Sequence, residues 1–225
     1  EISCSLVGSE MCIRDSIDAR YNVDLSLEIP TSCVISFFGD AIQRKITSEN
    51  CRKIGTLIME TFELPLYECV SSNGQKVALL HGLGGGPYAA GQIEKMHALG
   101  CRNFMVCGGC GVLEKGSTVG EIFIPRIALR DEGTSYHYIP PERTIEMNES
   151  VFEVITQFFS KLNIPYEIVK TWTTDAMYRE TVKMVKRRKE EGCQVVEMEC
   201  ASFFAVAQYK NDRLGQLLYA GCLLY

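Results

Sequence analysis

Two glutamates flanking one methionine, in Val195-Val196-Glu197-Met198-Glu199-Cys200-Ala201, are the residues with the sharpest capacity for chemistry. They stand between a short apolar run and an apolar stretch carrying Phe203, Phe204, Val206 and Ala207. A carboxylate there can accept hydrogen bonds from two vicinal hydroxyls, and a methionine can pack on the apolar face of a sugar. The same residues also fit a plain helix start, where the dipole favours acidic side chains. Residue types alone leave both readings open.

Three glycine-bearing segments come next: Gly39-Asp40, Gly82 to Gly86, and Gly108-Gly109-Cys110-Gly111. Read as strand-to-helix turns, they would let a ligand approach backbone N–H groups beyond the carboxyl ends of strands. Tight connections with no ligand are the plain alternative. None of the three has the spacing of a nucleotide triphosphate loop, and Pro87 stands where a dinucleotide loop needs its final glycine. Cys107 and Cys110 have C-x2-C spacing without a second pair, so no metal is expected. His81 and His97 read as structural. His137, in the strand-like Ser135-Tyr136-His137-Tyr138, is the histidine worth testing near a ligand.

The chain that must position these groups has 225 residues, 46% of them hydrophobic, enough for one substantial core. Its 23 basic and 28 acidic side chains leave a net charge of −5, which disfavours nucleic acid as partner. Apolar runs are strand-sized, so no membrane span is expected. Eleven cysteines, an odd number, scatter from Cys4 to Cys222, and residues 1–16 lack a signal-peptide pattern. A reducing cytoplasm is the expected compartment.

Strand and helix signals alternate. Strands are expected at Cys33–Phe38, Val77–Leu80, Asn103–Cys107, within Val119–Leu129, at Tyr166–Thr173, Val195–Val196 and Gln216–Ala220. Helical spacing covers 41–62, with a restart near Thr47-Ser48-Glu49, then Ala89–Leu99, Asn148 (as N-cap) to Leu162, Glu180–Glu191 and Glu199–Tyr209. The alternation predicts an α/β fold, a three-layer sandwich with a central mixed β-sheet flanked by helices, in one domain.

An ordered set of segments resembles the nucleoside phosphorylase and uridine phosphorylase superfamily over about residues 31–221. It runs Phe38-Gly39-Asp40, Gly85-Gly86-Pro87 with Ala89-Ala90 and Glu94, Gly108-Gly109-Cys110-Gly111, and Gly120-Glu121-Ile122. Asp131-Glu132-Gly133-Thr134-Ser135, Thr174-Asp175-Ala176-Met177-Tyr178 and Val196-Glu197-Met198-Glu199 follow. The resemblance implies cleavage of the N-glycosidic bond of a nucleoside. Phosphorolysis would give free base and a (deoxy)ribose 1-phosphate, with phosphate as co-substrate and neither cofactor nor metal. It places Gly39, Gly108, Gly109 and Cys110 at the phosphate end. Met198 would lie against the ribose, Glu199 on its 2′- and 3′-hydroxyls, and Glu197 close by. Met177, Tyr178 and Arg179 would face the base, with Arg179 donating as charge develops on the leaving group. A solvated charge is the alternative for Arg179. A homo-oligomer, dimer or trimer of dimers, is also implied.

Departures from the pattern keep two other readings open. Val106 stands where the family has a phosphate-binding arginine, and Gly109 where it has a hydroxyl residue; Arg44 is only an offset candidate for another cation. Water attack, making a nucleoside hydrolase, therefore stays possible, as does a non-catalytic nucleoside-binding fragment. Val106 is expected at a strand end with room for an arginine. Cys222 stands where purine-cleaving relatives have an acidic residue. Residues 1–16 and 222–225 read as non-native tails around a domain at 17–221 whose C-terminal helix is missing.

Overall fold

The computed structural model describes residues 21–23, 28–47, 50–58 and 62–224. The expected tail at 1–16 lies outside them. Among these residues eleven strands form one mixed sheet: β1 Tyr21–Val23, β2 Ser32–Ser36, β3 Cys51–Ile58, β4 Glu63–Val70, β5 Lys76–His81, β6 Asn103–Val112, β7 Ile122–Asp131, β8 Thr144–Glu146, β9 Glu167–Thr174, β10 Val195–Glu197 and β11 Arg213–Leu223. Among the described residues five helices flank it: α1 Gly39–Ile46, α2 Gly86–Ala98, α3 Glu149–Lys161, α4 Val182–Glu190 and α5 Cys200–Lys210. The expected α/β architecture of a mixed sheet between helices is the one observed.

Strand order begins β1-β3-β4-β5-β2-β6, with β5, β2 and β6 mutually parallel. Beyond β6 the pairing runs through β10, β9, β7 and β11 and returns to β6, closing a ring. Strand β6 therefore belongs to both the open wing and the closed part. Closure hides backbone edges that an open sheet would expose. Helices α2 and α5 pack together, and α5 is buried from Cys200 to Ala207 because it is apolar on every face.

Local signals explain most helix ends. Pro87 occupies the first turn of α2, where a missing N–H costs nothing. The Asn148 side chain caps α3 by accepting from the Ser150 N–H, as expected, and Thr181 caps α4. Asn211 closes α5 in the left-handed conformation, φ 57°.

Three expectations fail. The helix over 41–62 ends at Ile46, and Cys51–Ile58 is strand. Ile54, Leu57 and Ile58 mimic helical spacing only because β3 carries a register irregularity between Lys53 and Gly55. Gly108 to Gly111 form no turn; they continue β6, paired to β11 and β10. Ser135–His137 is a short 3-10 turn rather than a strand.

Cys51 and Cys69, opposed in the β3–β4 register, form a disulfide, so the described thiols are not all free. Cys107 and Cys110 sit three apart on one strand, where side chains point to opposite faces and cannot converge on one ion. At the chain's end, Cys222 and Leu223 extend β11 opposite Gly111 and Val112. Among the described residues no helix is long and apolar enough to cross a membrane.

Candidate active site

Strands β5, β2 and β6 share one direction, and so do β9 and β10. Chain segments leaving their carboxyl ends carry most of the polar residues singled out above. At the end of β10, Glu197 is buried to 6% exposure. Its Oε1 accepts from the hydroxyls of Thr173 (2.7 Å) and Thr171 (3.2 Å). Its Oε2 accepts from the backbone N–H groups of Glu199 (2.7 Å) and Cys200 (2.6 Å). Glu197 thus holds the first turn of α5 and has little capacity left for a ligand. Burial, then the nearby Glu199 carboxylate, push its carboxyl up to about 7, while Thr173 and the two N–H groups pull the other way.

Glu199 occupies the N-cap position of α5. Its Oε1 accepts from the Gly85 N–H at 2.6 Å. Burial raises its carboxyl pKa as well, opposed by backbone N–H groups of Gly85 and Met198. Met198, half-buried, lies between the two glutamates. The structure therefore separates two acids that their residue type alone treats alike: Glu197 organises the backbone, and Glu199 faces the glycine-rich loop.

That loop is held at several points. Gly82 N–H donates to Ser36 O (2.8 Å), Leu83 N–H to Gln92 Oε1 (2.9 Å), and Gln92 Nε2 to His81 O (2.8 Å). Gly85 has φ 92°, a conformation side chains rarely adopt. A ligand entering beside Glu199 meets a preset backbone.

The other end of the site is more open. Phe38, Gly39, Asp40, Ala41, Arg44 and Tyr219 line a cavity of about 560 Å³. Phe38 and Tyr219 meet edge to face, ring centroids 5.0 Å apart. The structure thus brings Gly39, at the start of α1, and Arg44, in its last turn, to the wall of one cavity. Gly109 faces the Tyr219 ring, which a Cβ would approach to 2.9 Å, and Gly108 faces Phe37. Cys110 is buried, and its thiol donates to Tyr219 O at 3.3 Å. Desolvation raises that thiol to about 12 and keeps it neutral. In place of an N–H-rich turn at 108–111 there is a strand whose glycines make room for aromatic rings. Val106 is fully buried mid-strand, with Ile35 and Gln216 as neighbours, so the expected exposed strand end is absent.

Met177, Tyr178 and Arg179 form a 3-10 turn after β9, and all three side chains are exposed. Tyr178 is 94% exposed. The turn leaves the carboxyl end of β9, beside β10, but its side chains do not converge on Glu199 in this structure. His137 is exposed, and His97 binds Asp212 Oδ2 at 2.7 Å, a structural contact. Sequence reasoning passed over Thr171 and Thr173, and it named Gly85 only as part of a glycine-rich segment; their roles appear once β9, β10 and the loop meet. His81, read as structural, has its Nδ1 2.8 Å from Gly82 O. A Cβ at Gly39 would sit 3.6 Å from the His81 Nε2, so the ring faces the open end.

Comparison with known proteins agrees with this geometry. A family model described as the phosphorylase superfamily matches residues 42–213. Guanosine phosphorylase of Halorubrum lacusprofundi is 27% identical over 59% of this chain and 55% of its own length. Uridine phosphorylase of Thermococcus kodakarensis is 32% identical over 42% of this chain and 34% of its own. The chain thus spans about half or less of the length of these relatives. Among solved structures, AMP nucleosidase from Bacteroides thetaiotaomicron superposes with TM-score 0.79 at 19% identity, over 96% of this chain and 88% of that one. Uridine phosphorylase from Vibrio fischeri gives 0.77 at 18%, over 89% and 82%. With the family model covering well over half of its residues, the chain belongs to the phosphorylase superfamily.

Proposed function

We propose that this protein cleaves the N-glycosidic bond of a nucleoside, with Glu199 holding the sugar hydroxyls. The observation carrying the reading is the Glu199 carboxylate, buried beyond the carboxyl end of β10 and fixed through one oxygen by the Gly85 N–H. A carboxylate has about four lone-pair sites, so vicinal hydroxyls can bind beside that bond. Held in low dielectric, the contact strengthens as positive charge grows on the ribosyl group during bond breaking. Met198 supplies an apolar surface next to the clamp. Tyr178 and Arg179 are free to fold over the base, where Arg179 would stabilise the leaving charge.

The attacking group has two readings. Phosphorolysis, giving free base and (deoxy)ribose 1-phosphate, would seat phosphate in the cavity beside Gly39 and Arg44. Names of the relatives support it, since guanosine and uridine phosphorylases are among them. Hydrolysis is favoured by a specific observation: Val106, buried in the unbroken strand β6, adds no guanidinium to that cavity, whose lining cation is the exposed Arg44. One structural neighbour is an AMP nucleosidase. Work in the cytoplasm as a homo-oligomer belongs to the same reading. Base release from uridine, guanosine and AMP, with and without phosphate, is the test. Saturable phosphate dependence selects phosphorolysis, and equal rates without phosphate select hydrolysis. No release from any of the three would remove the reading.

A further inference from the structure

Beneath the glycine-rich loop lies a buried acid that the proposed chemistry does not use. Glu132, 5% exposed, stands just past the end of β7. Its Oε2 accepts from the Ser202 hydroxyl (2.7 Å) and the Ser135 N–H (2.9 Å). Its Oε1 accepts from the Ser135 hydroxyl, to which fully buried Arg130 also donates from Nε (2.8 Å). Ser202 belongs to the first turn of α5, three residues after Glu199. Gly86, the first residue of α2, fits against the same cluster. A Cβ there would come to 2.6 Å from Ser202 Oγ, 2.9 Å from Thr134 Oγ1 and 3.3 Å from Glu132 Oε2. Three elements therefore meet at one carboxylate: the end of β7 and the starts of α5 and α2.

We propose that Glu132 is a positioning residue that sets the distance between the Glu199 carboxylate and the loop at Gly85. The Gly85-to-Glu199 bond joins the loop to α5 directly. Glu132 fixes the same two partners from below, holding Ser202 while leaving Gly86 room only as glycine. Neighbouring Gly133 N–H donates to Asp175 Oδ2 at 2.8 Å, so the same loop also anchors the segment leading to Met177. A ligand held between Glu199 and that segment would depend on Glu132 without touching it. The inference rests on the clamp role given to Glu199, and one arm of its test does not.

That arm is hydrogen exchange on the full chain. Glu132→Gln keeps the size of the side chain but puts a donor where two donors now point. The Gly84–Gly86 amides should exchange at least tenfold faster, with β6 and β11 amides unchanged. Unchanged exchange at the loop, or faster exchange throughout the sheet, would overturn the proposal. A second arm keeps it testable if Glu132→Gln folds poorly. Ser202→Ala, which removes the hydroxyl that Glu132 holds, should speed the same loop exchange, and so should Gly86→Ala, whose methyl would meet that hydroxyl at 2.6 Å. Unchanged loop exchange in both variants would contradict it. Where base release is measurable, Glu132→Gln should lower kcat by tenfold or more and Glu132→Asp by less. Intact loop exchange defects with no base release in the wild type would count against the clamp reading alone.

Discussion

The two ends of the candidate site are built differently. At the end proposed for the sugar, Glu197, Glu199, Thr171 and Thr173 are buried, and the two acids accept hydrogen bonds of 2.6–3.2 Å from the Thr171 and Thr173 hydroxyls and from the N–H groups of Gly85, Glu199 and Cys200. At the anion end, Gly39, Asp40 and Arg44 are exposed around an open cavity, and the rings of Phe38 and Tyr219 form its wall. Preorganised groups in a dry site act more strongly on developing charge than solvated ones. On the proposed reading, this contrast would put discrimination at the sugar, with the attacking group bound by a weaker and more screened set of contacts.

The largest effect expected from breaking this contrast is on stability. Val106→Arg, an attempt to give the anion end a guanidinium, would bury an unpaired charge between Ile35 and Gln216. Overpacking and desolvation together should cost about 3 kcal/mol or more, read by chemical denaturation. A stable, folded variant with new phosphate dependence would mean that the strand can open at this point. Next comes Arg44→Ala. If phosphate uses this cavity, its KM should rise about two- to fivefold, an effect that salt reduces, because the arginine is exposed. A loss of a hundredfold would make the anion end as well organised as the sugar end.

The smallest effect concerns pH. The Glu197 carboxyl is raised to about 7 in the fold, above the ordinary carboxylate range. Between those values the folded protein binds a proton that the unfolded chain does not. This group's contribution to stability is therefore full at low pH and is lost as pH rises through about 7. Tm should fall between pH 5.5 and 7.5 by more in the wild type than in Glu197→Gln. Equal pH slopes in the two proteins would assign the trend to other groups.

Much of the sheet was legible because its strands are short apolar runs bounded by glycine or capping residues. Val77–Leu80, Asn103–Cys107 and Val195–Val196 all lie inside observed strands, and Asn148 caps the helix expected after it. Residues 51–58 were misread since a bulge shifts Ile54 and Leu57 into a helix-like spacing. The failure at Gly108 to Gly111 has another cause. Glycine marks a turn locally, but here it admits Phe37, Tyr219, Val196 and Leu224, side chains distant in sequence. The Glu-Met-Glu segment was found from sequence; the division of labour inside it was not. It depends on Thr171, Thr173 and Gly85, which only the folded chain brings to the two acids.

The central claim is that the Glu199 carboxylate holds the sugar hydroxyls. A thermodynamic cycle tests it directly: kcat/KM for base release from uridine or guanosine and from their 2′,3′-dideoxy counterparts, in wild type and in Glu199→Gln. Charge-assisted hydrogen bonds of about 1.5–3 kcal/mol predict a loss on the order of tenfold or more when the wild type loses either partner. In Glu199→Gln, removing the hydroxyls should then cost little further. Equal penalties for hydroxyl removal in both proteins would contradict the account, because the hydroxyls would then be held by something other than Glu199.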